Sequence, residues 1–296
     1  MRFHITHRTT YRYGLPMADG YTVAHLLPRD TPWQRVLSAG LEVTPAADER
    51  EEHQDRFGNL VVRLGVHQRH RSLDVTSRCE VEVSPMPDPQ GPDAGPDMAW
   101  TEAARAAAAT RGDAALEVGP FLAITAATPS LAALDELTEG VFAEDRPLTE
   151  VVGALSRRLF EEIRFEGGAT DVTTPLDVVI AERRGVCQDI AHLMLAACRR
   201  RGLAARYVSG YLETDPPPGQ PKMIGSDASH AWCSVWSPVA GWIDVDPTND
   251  QMPPRRHVTV AWGRDYFDVT PVRGVVVGPA CAQELEVGVD VVASPV

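Results

Sequence analysis

The chain has 296 residues, of which 44% are hydrophobic, and a formal net charge of −13 at pH 7. This length and apolar content are sufficient for one large domain or two smaller ones with a buried core and no stabilising crosslinks. The acidic balance, with arginines scattered among acidic residues, excludes nucleic acid and anionic membranes as expected partners.

The N-terminal stretch MRFHITHRTTYRYG is polar and alternating, unlike a signal peptide, and no later segment is long and apolar enough to span a bilayer. We therefore expect a cytoplasmic protein. The cysteines are odd in number and widely spaced without a CxxC pair, which argues against a disulfide framework or a zinc ribbon. They are Cys79, Cys187, Cys198, Cys233 and Cys281.

Residues 1–83 are predicted to form an antiparallel β domain, because their apolar residues mostly recur with period two. Residues 55–59, Asp-Arg-Phe-Gly-Asn, lie between two such runs and predict a tight turn. Residues 84–98 are rich in proline and predict a linker or a long surface loop.

Residues 99–256 begin with helical periodicity and continue with strand-like runs, which predicts an α+β fold. The strand-like runs of residues 205–246 follow the helices and predict an antiparallel sheet. Residues 257–296 predict further short strands, whose packing partner the pattern leaves open.

A helix is predicted to begin at Cys187, directly after Gly185 and Val186. The free N–H groups and the positive dipole end of a first helical turn stabilise a thiolate, and they can also bind an oxyanion. Cys198 lies on the same apolar stripe, eleven residues later, and is expected to be a buried structural thiol. The three arginines that follow, residues 199–201, are expected to complement the negative end of the helix.

His230 and Asp246 are predicted to lie on neighbouring strands of one hairpin. A register with Trp236 opposite Trp242 would place the carboxylate diagonal to the imidazole, within reach of a hydrogen bond. Asp244 has the same parity and is the competing acceptor. For a single histidine, burial in the core is the commoner role, so the argument depends on the joint occurrence of all three residues.

The stretches around these residues resemble the bacterial transglutaminase-like family, whose core is papain-like. The matching segments are TTPLDVVIAERRGVCQDIAHLMLAACRRRGLAARYVSGYL, SDASHAW and GWIDVDPTN, and ITHRTTYRYG and DRFGN resemble the N-terminal β domain of the family. The resemblance implies an N-terminal antiparallel β domain followed by a core of helices packed on an antiparallel sheet. It also implies a catalytic triad of Cys187, His230 and Asp246.

One feature of animal transglutaminases is missing, since no tryptophan that could serve as an oxyanion donor occurs between Trp100 and Cys187. The expected oxyanion donor is therefore the backbone N–H of Cys187, with a second donor unassigned. Gln188, Trp232 and Tyr211 are candidates for the oxyanion hole or the cleft wall. No clustered carboxylate site is present, so neither calcium nor any other cofactor is implied.

The resulting hypothesis is acyl transfer or hydrolysis at a carboxamide or peptide bond through a thioester. The substrate would be a protein, a peptide or a small amide, and neither the acyl acceptor nor the oligomeric state can be inferred. The alternative is a non-catalytic peptide-binding or protein-binding module with the same fold. A loop at residues 215–229 is expected to border the cleft, either as a lid or as a plain solvated loop.

A metal site is the third hypothesis, formed by Cys187, His192 and Cys198. Cys187 and His192 are five residues apart on a helix, so their side chains point in different directions and no metal ligands are assigned.

Overall fold

The computed structural model describes residues 1–92, 94–214 and 228–294. The first strands are β1 (Arg2–Met17), β2 (Asp19–Ala24), β3 (Gln34–Thr44), β4 (Glu49–Gln54), β5 (Leu60–Val66) and β6 (His70–Val83). The helices are α1 (Trp100–Ala109), α2 (Asp113–Val118), α3 (Ala133–Leu137), α4 (Leu148–Glu162), α5 (Leu176–Glu182) and α6 (Cys187–Arg200). Two short strands, β7 (Arg164–Phe165) and β8 (Arg184–Gly185), pair in parallel between them. The last strands are β9 (Ala205–Leu212), β10 (Ala228–Ser237), β11 (Gly241–Val245), β12 (His257–Gly263), β13 (Val272–Val277) and β14 (Gln283–Ser294).

Three four-stranded antiparallel sheets form the framework of the molecule. Two of them make up the β domain, with strand orders β14-β1-β6-β3 and β13-β2-β5-β4. The third has the order β11-β10-β9-β12 and packs against the helices. The predicted fold is thus confirmed, with an N-terminal antiparallel β domain and a core of helices on an antiparallel sheet.

The strands after residue 256 divide between the two parts of the molecule. β12 joins the core sheet beside β9, whereas β13 pairs with β2 and β14 pairs with β1. The pairing of β14 with β1 brings the two ends of the chain together, since Arg2 lies opposite Ser294.

Helix α6 lies at the centre of the hydrophobic core. Its apolar residues were predicted to form one stripe, but eleven consecutive residues, from Asp189 to Arg199, are buried. The helix is covered on several sides because α3, α4 and α5 pack on it as well as β9 and β10. This packing fixes the position of its first turn, where Cys187 lies.

The turn predicted at residues 55–59 is present between β4 and β5, with Gly58 at a φ of 73°. Asp55 accepts hydrogen bonds from the N–H groups of Phe57 and Asn59. The Asn59 side chain also binds both backbone groups of Trp262 in β12, at 2.8 and 2.9 Å. The turn therefore attaches the β domain to the core sheet.

In the part of the chain that the structure describes, no helix is both long and apolar enough to cross a membrane. Most of the loop expected at residues 215–229, the segment 215–227, lies outside the described residues.

Candidate active site

The first turn of α6 holds Cys187 in a defined position. Asp189, the third residue of the helix, accepts hydrogen bonds from the Val186 N–H at 2.8 Å and from the Thr170 hydroxyl at 2.5 Å. Burial raises the pKa of the Asp189 carboxyl, and these two hydrogen bonds oppose the shift. Val186, the residue just before Cys187, is thus tied to the helix that follows it.

Two backbone N–H groups of this turn are not needed for hydrogen bonds within the helix. The N–H groups of Asp189 and Ile190 both bond to the Val186 carbonyl, so they are already used within the helix. The preceding N–H groups, on Cys187 and Gln188, belong to the set that an α-helix leaves without intrahelical partners. They are the natural donors for a negative oxygen beside the Cys187 sulfur.

His230 and Asp246 come from adjacent strands of the core sheet. Trp236 lies opposite Trp242, which confirms the predicted register of the hairpin, and the pairing continues to Cys233 opposite Val245. Asp246 follows directly, and its Oδ2 lies 2.8 Å from His230 Nε2. The competing acceptor, Asp244, instead receives a hydrogen bond from the Ser234 hydroxyl.

The imidazole of His230 connects the carboxylate with the thiol. Burial alone would lower the pKa of His230, but hydrogen bonds to Asp246 and Cys187 outweigh it and raise this pKa to about 10. Burial likewise opposes ionisation of Asp246, yet the hydrogen bonds from His230 and His257 hold its pKa well below the usual range. A protonated imidazole beside the ionised Asp246 carboxylate is the state that this arrangement favours.

The Asp246 carboxylate is completely buried and receives several donors. Its Oδ1 accepts from the N–H of Thr248 at 2.9 Å and from that of Asn249 at 3.3 Å. Its Oδ2 accepts from the Asn249 side-chain amide at 2.7 Å and from His257 Nε2 at 2.9 Å, in addition to His230. The turn after β11 therefore supplies three of the five hydrogen bonds that satisfy the buried carboxylate.

Sequence reasoning missed His257, a second histidine on Asp246. Its Nε2 faces the carboxylate and its Nδ1 faces the Arg255 carbonyl, so both ring nitrogens contact acceptors. No sequence signal marks this residue, because β12 reaches the site only by pairing with β9, where His257 lies opposite Leu212.

A cleft of about 260 Å³ opens beside the thiol and the imidazole. One wall comes from the core, including Gln188, Tyr207 and Ser209, and the other comes from strands of the β domain. The residues of that second wall are His7, Thr9, Tyr11, Val272, Leu285 and Val287. Both parts of the molecule therefore shape the space in which a substrate would meet Cys187.

Of the three secondary candidates from the sequence, Gln188 lines the cleft, whereas Trp232 and Tyr211 do not line it within the described residues. Trp232 is fully buried and stacks beside His230, with ring centroids 6.3 Å apart. Tyr211 is buried where β9 meets β1, and its hydroxyl lies 3.1 Å from Nδ1 of His7. Tertiary packing therefore covers both side chains, and the structure does not bring them to the cleft beside Cys187.

The metal site considered from the sequence does not assemble. His192 is buried, its Nε2 accepts a hydrogen bond from the Tyr266 N–H at 3.1 Å, and burial lowers its pKa to about 3. Within residues 1–92, 94–214 and 228–294, the side chains close enough to share an ion are His230, Asp246 and His257, with ligand atoms within 4.8 Å of one another. These atoms are joined by direct hydrogen bonds, which account for their arrangement.

The remaining part of α6 has structural roles. Cys198 is buried, and desolvation raises its pKa to about 12, as expected for an inert thiol. Arg199 was expected to complement the end of the helix, but it is buried and donates to the carbonyl groups of Phe121, Ala205 and Arg264. It therefore links the helix to three other segments of the core.

The fold and the site define a class, an α+β core with a cysteine at a helix start and a histidine and an aspartate on the adjacent sheet. The same fold occurs in the crystal structure of a candidate cysteine protease from Cytophaga hutchinsonii, with a TM-score of 0.74 and 22% identity. That likeness covers 100% of this chain and 92% of the other, and at this identity it shows the fold alone.

Family models identify the two parts of the chain. Residues 3–82 match the bacterial transglutaminase-like N-terminal region, and residues 135–247 match the transglutaminase-like superfamily core. An uncharacterized protein of Mycobacterium tuberculosis is 41% identical over 98% of this chain and 92% of its own length. The chain therefore belongs to the bacterial transglutaminase-like family.

Two further relatives extend the comparison. An uncharacterized protein of Mycobacterium leprae is 31% identical over 98% of both chains. A protein-glutamine gamma-glutamyltransferase of Pseudomonas aeruginosa is 32% identical over 124 residues, which are 41% of this chain and 18% of that protein.

Proposed function

We propose that this protein is a cysteine-dependent acyltransferase or hydrolase that acts on carboxamides through a thioester on Cys187. One observation carries the proposal: the His230 imidazole interacts with the Cys187 thiol and with the buried Asp246 carboxylate, beside an open cleft. The relative from Pseudomonas aeruginosa, a protein-glutamine gamma-glutamyltransferase, supports a glutamine side chain as the acyl donor.

In the first half of the reaction, the Cys187 sulfur attacks the carbonyl carbon of the carboxamide. The negative oxygen that forms accepts hydrogen bonds from the backbone N–H groups of Cys187 and Gln188. His230 then gives its proton to the leaving nitrogen, ammonia departs, and a thioester remains.

In the second half, His230 takes a proton from the acyl acceptor as it attacks the thioester carbonyl. An amine gives a new amide, water gives a carboxylic acid, and the Cys187 sulfur leaves in both cases. Asp246 holds the imidazole in the orientation that both proton transfers require and compensates its positive charge.

The rival function is a binding module without catalysis, and thiol chemistry separates the two. We would measure the rate of iodoacetamide alkylation across pH for the wild type, for Cys187→Ala and for Cys281→Ala. Cys281 is a matched control because it is also a half-buried free thiol, but it lies outside the candidate site. We expect fast alkylation of the wild type and of Cys281→Ala, and its loss in Cys187→Ala.

Turnover would then be measured with glutaminyl peptides, with and without a primary amine. Mass spectrometry should detect an acyl adduct on Cys187, and incorporation of the amine or release of ammonia alone identifies the acceptor. If Cys187 reacts no faster than a model thiol and no adduct forms with any peptide, the binding-module function is correct instead.

A further inference from the structure

Among the described residues, strand β14 is the edge strand of the sheet β14-β1-β6-β3, and it pairs antiparallel with β1. Leu285 and Val287 of this strand line the same cleft as Cys187 and His230. An edge strand with unpaired backbone groups readily accepts another strand.

On one face of β14 the side chains form an apolar stripe that runs from the protein surface into its interior. Leu285 and Val287 are 59% and 50% exposed, whereas Val289, the next residue on the same face, is 1% exposed. Their partners on β1 are Tyr11, Thr9 and His7, which also line the cleft. Large apolar side chains held half in water beside a reactive thiol need an explanation other than core packing.

The register shows which backbone groups point away from the sheet. The Gly14 N–H donates to the Ala282 carbonyl at 2.9 Å, so the residues of β14 that bond to β1 are the even-numbered ones. The N–H and C=O groups of Leu285 and Val287 therefore point outward. Ala293, which has the same parity, confirms this direction, because its N–H donates to the Glu213 side chain instead of β1.

Charge limits the kind of molecule that fits here. The described residues that line the cleft include no aspartate, glutamate, lysine or arginine. Because the whole chain has a net charge of −13, an acidic segment would also be repelled at longer range. A neutral, apolar segment is the best match for the stripe.

We propose that the substrate is an extended peptide segment that adds to β14 as a further strand at Leu285 and Val287. This inference rests on the proposed function and adds the substrate class. In an added strand alternate side chains project from the same face of the sheet as Leu285 and Val287, so a glutamine at such a position enters the cleft. Apolar residues two positions away from that glutamine, about 7 Å along the strand, would contact the stripe.

Backbone methylation of the substrate tests the added strand without changing the protein. A neutral peptide of about ten residues with one central glutamine and apolar neighbours would be N-methylated at one position at a time. Alternate N–H groups of an added strand face β14 and the others face solvent. Methylation should therefore lower kcat/KM about tenfold at every second position and have little effect between them.

Two variants of Val287 separate its side chain from its backbone. Val287→Ala removes most of the side chain and keeps the N–H, whereas Val287→Pro also removes the outward N–H, which β1 does not use. Val287→Pro should lower kcat/KM for the peptide more than Val287→Ala does. The melting temperature of each variant is measured as a check on folding. A flat methylation profile, or equal effects of the two variants, would overturn the proposal.

A small glutamine amide, too short to reach Leu285, distinguishes this inference from the function on which it rests. If the wild type turns over the small amide but shows a flat methylation profile, the added strand fails and the catalytic proposal stands. If nothing is turned over, the same methylated peptides are tested by fluorescence anisotropy with Cys187→Ala, where the alternating pattern must appear in the Kd. A concentration-dependent dimer in ultracentrifugation that Val287→Pro abolishes would show that a second copy of the chain occupies the edge instead.

Discussion

His257 Nε2 lies 2.9 Å from Asp246 Oδ2, the same carboxylate oxygen that His230 contacts at 2.8 Å. Two histidines from different strands thus share one buried carboxylate. One of them also reaches the Cys187 thiol, and the other is anchored to a backbone carbonyl of Arg255. Hydrogen bonding to His257 therefore helps to keep Asp246 ionised beside His230.

Replacing His257 tests that role. His257→Phe should cost about 1–3 kcal/mol of unfolding free energy, because a buried carboxylate loses a donor. His257→Gln can keep a hydrogen bond to Asp246, so it should lose less stability than His257→Phe and is the matched control. Urea unfolding measures the free energy of unfolding of both variants. A Phe variant as stable as the wild type, or no less stable than the Gln variant, would contradict this role.

Removal of the carboxylate charge should change the pH profile of the reaction. In the wild type the pKa of His230 is raised to about 10, so the imidazolium that we propose as proton donor to the leaving nitrogen is lost only in alkaline solution. Asp246→Asn should shift the alkaline limb to lower pH and reduce kcat at least about a hundredfold. The test is kcat/KM from pH 5 to 11 for both proteins, and an identical limb in the two would show that Asp246 does not set the pKa of His230.

The free energy of unfolding should depend on pH through His230 and Asp246. Because folding raises the pKa of His230 from 6.5 to about 10, its contribution to stability is complete below pH 6.5 and is lost as the pH rises toward 10. Folding lowers the pKa of Asp246 below its ordinary 3.8, so that contribution is present above pH 3.8 and is lost in stronger acid. In urea unfolding, the free energy of unfolding of the wild type should therefore exceed that of His230→Ala by more at pH 6 than at pH 9. If this difference in unfolding free energy is the same at both pH values, protonation of His230 is not coupled to folding.

Asp189 should be required for a correctly placed thiol. Asp189→Ala leaves the Val186 N–H and the Thr170 hydroxyl without their acceptor, at a cost of about 2–3 kcal/mol, and loosens the first turn of α6. Asp189→Asn keeps an acceptor oxygen and is the matched control. Denaturant unfolding and the alkylation rate of Cys187 report the two consequences, and equal values for the two variants would rule out this anchoring role.

Gly210 should not tolerate a side chain. It lies opposite His230 in the sheet, and a Cβ there would be 2.1 Å from the Val258 carbonyl oxygen and 2.5 Å from the Trp232 ring. Gly210→Ala must displace β12, and with it His257, so we expect a loss of more than about 3 kcal/mol and of activity. Gly40→Ala is the control, since a Cβ at Gly40 would meet nothing within 4 Å. Thermal unfolding of the two variants gives the comparison, and a mild effect at Gly210 would speak against this tight packing.

The sequence by itself determined the local parts of the site. The hairpin that carries His230 and Asp246 has its register set by a short loop and by two tryptophans that face each other, so alternation along each strand was enough to predict the contact. The start of α6 at Cys187 likewise followed from periodicity within one helix. Such features depend on neighbours that are close in the chain.

Only the tertiary structure decided which distant segments complete the site. His257 reaches Asp246 because β12 pairs with β9, and Leu285 and Val287 reach the cleft because β14 pairs with β1, more than 270 residues away in the chain. Tyr211, expected at the cleft from the sequence, is instead buried against His7 of β1. Hydrophobic alternation predicts that a strand exists and which face is buried, but it does not name the partner strand, since the backbone hydrogen bonds that join strands are alike for nearly every residue.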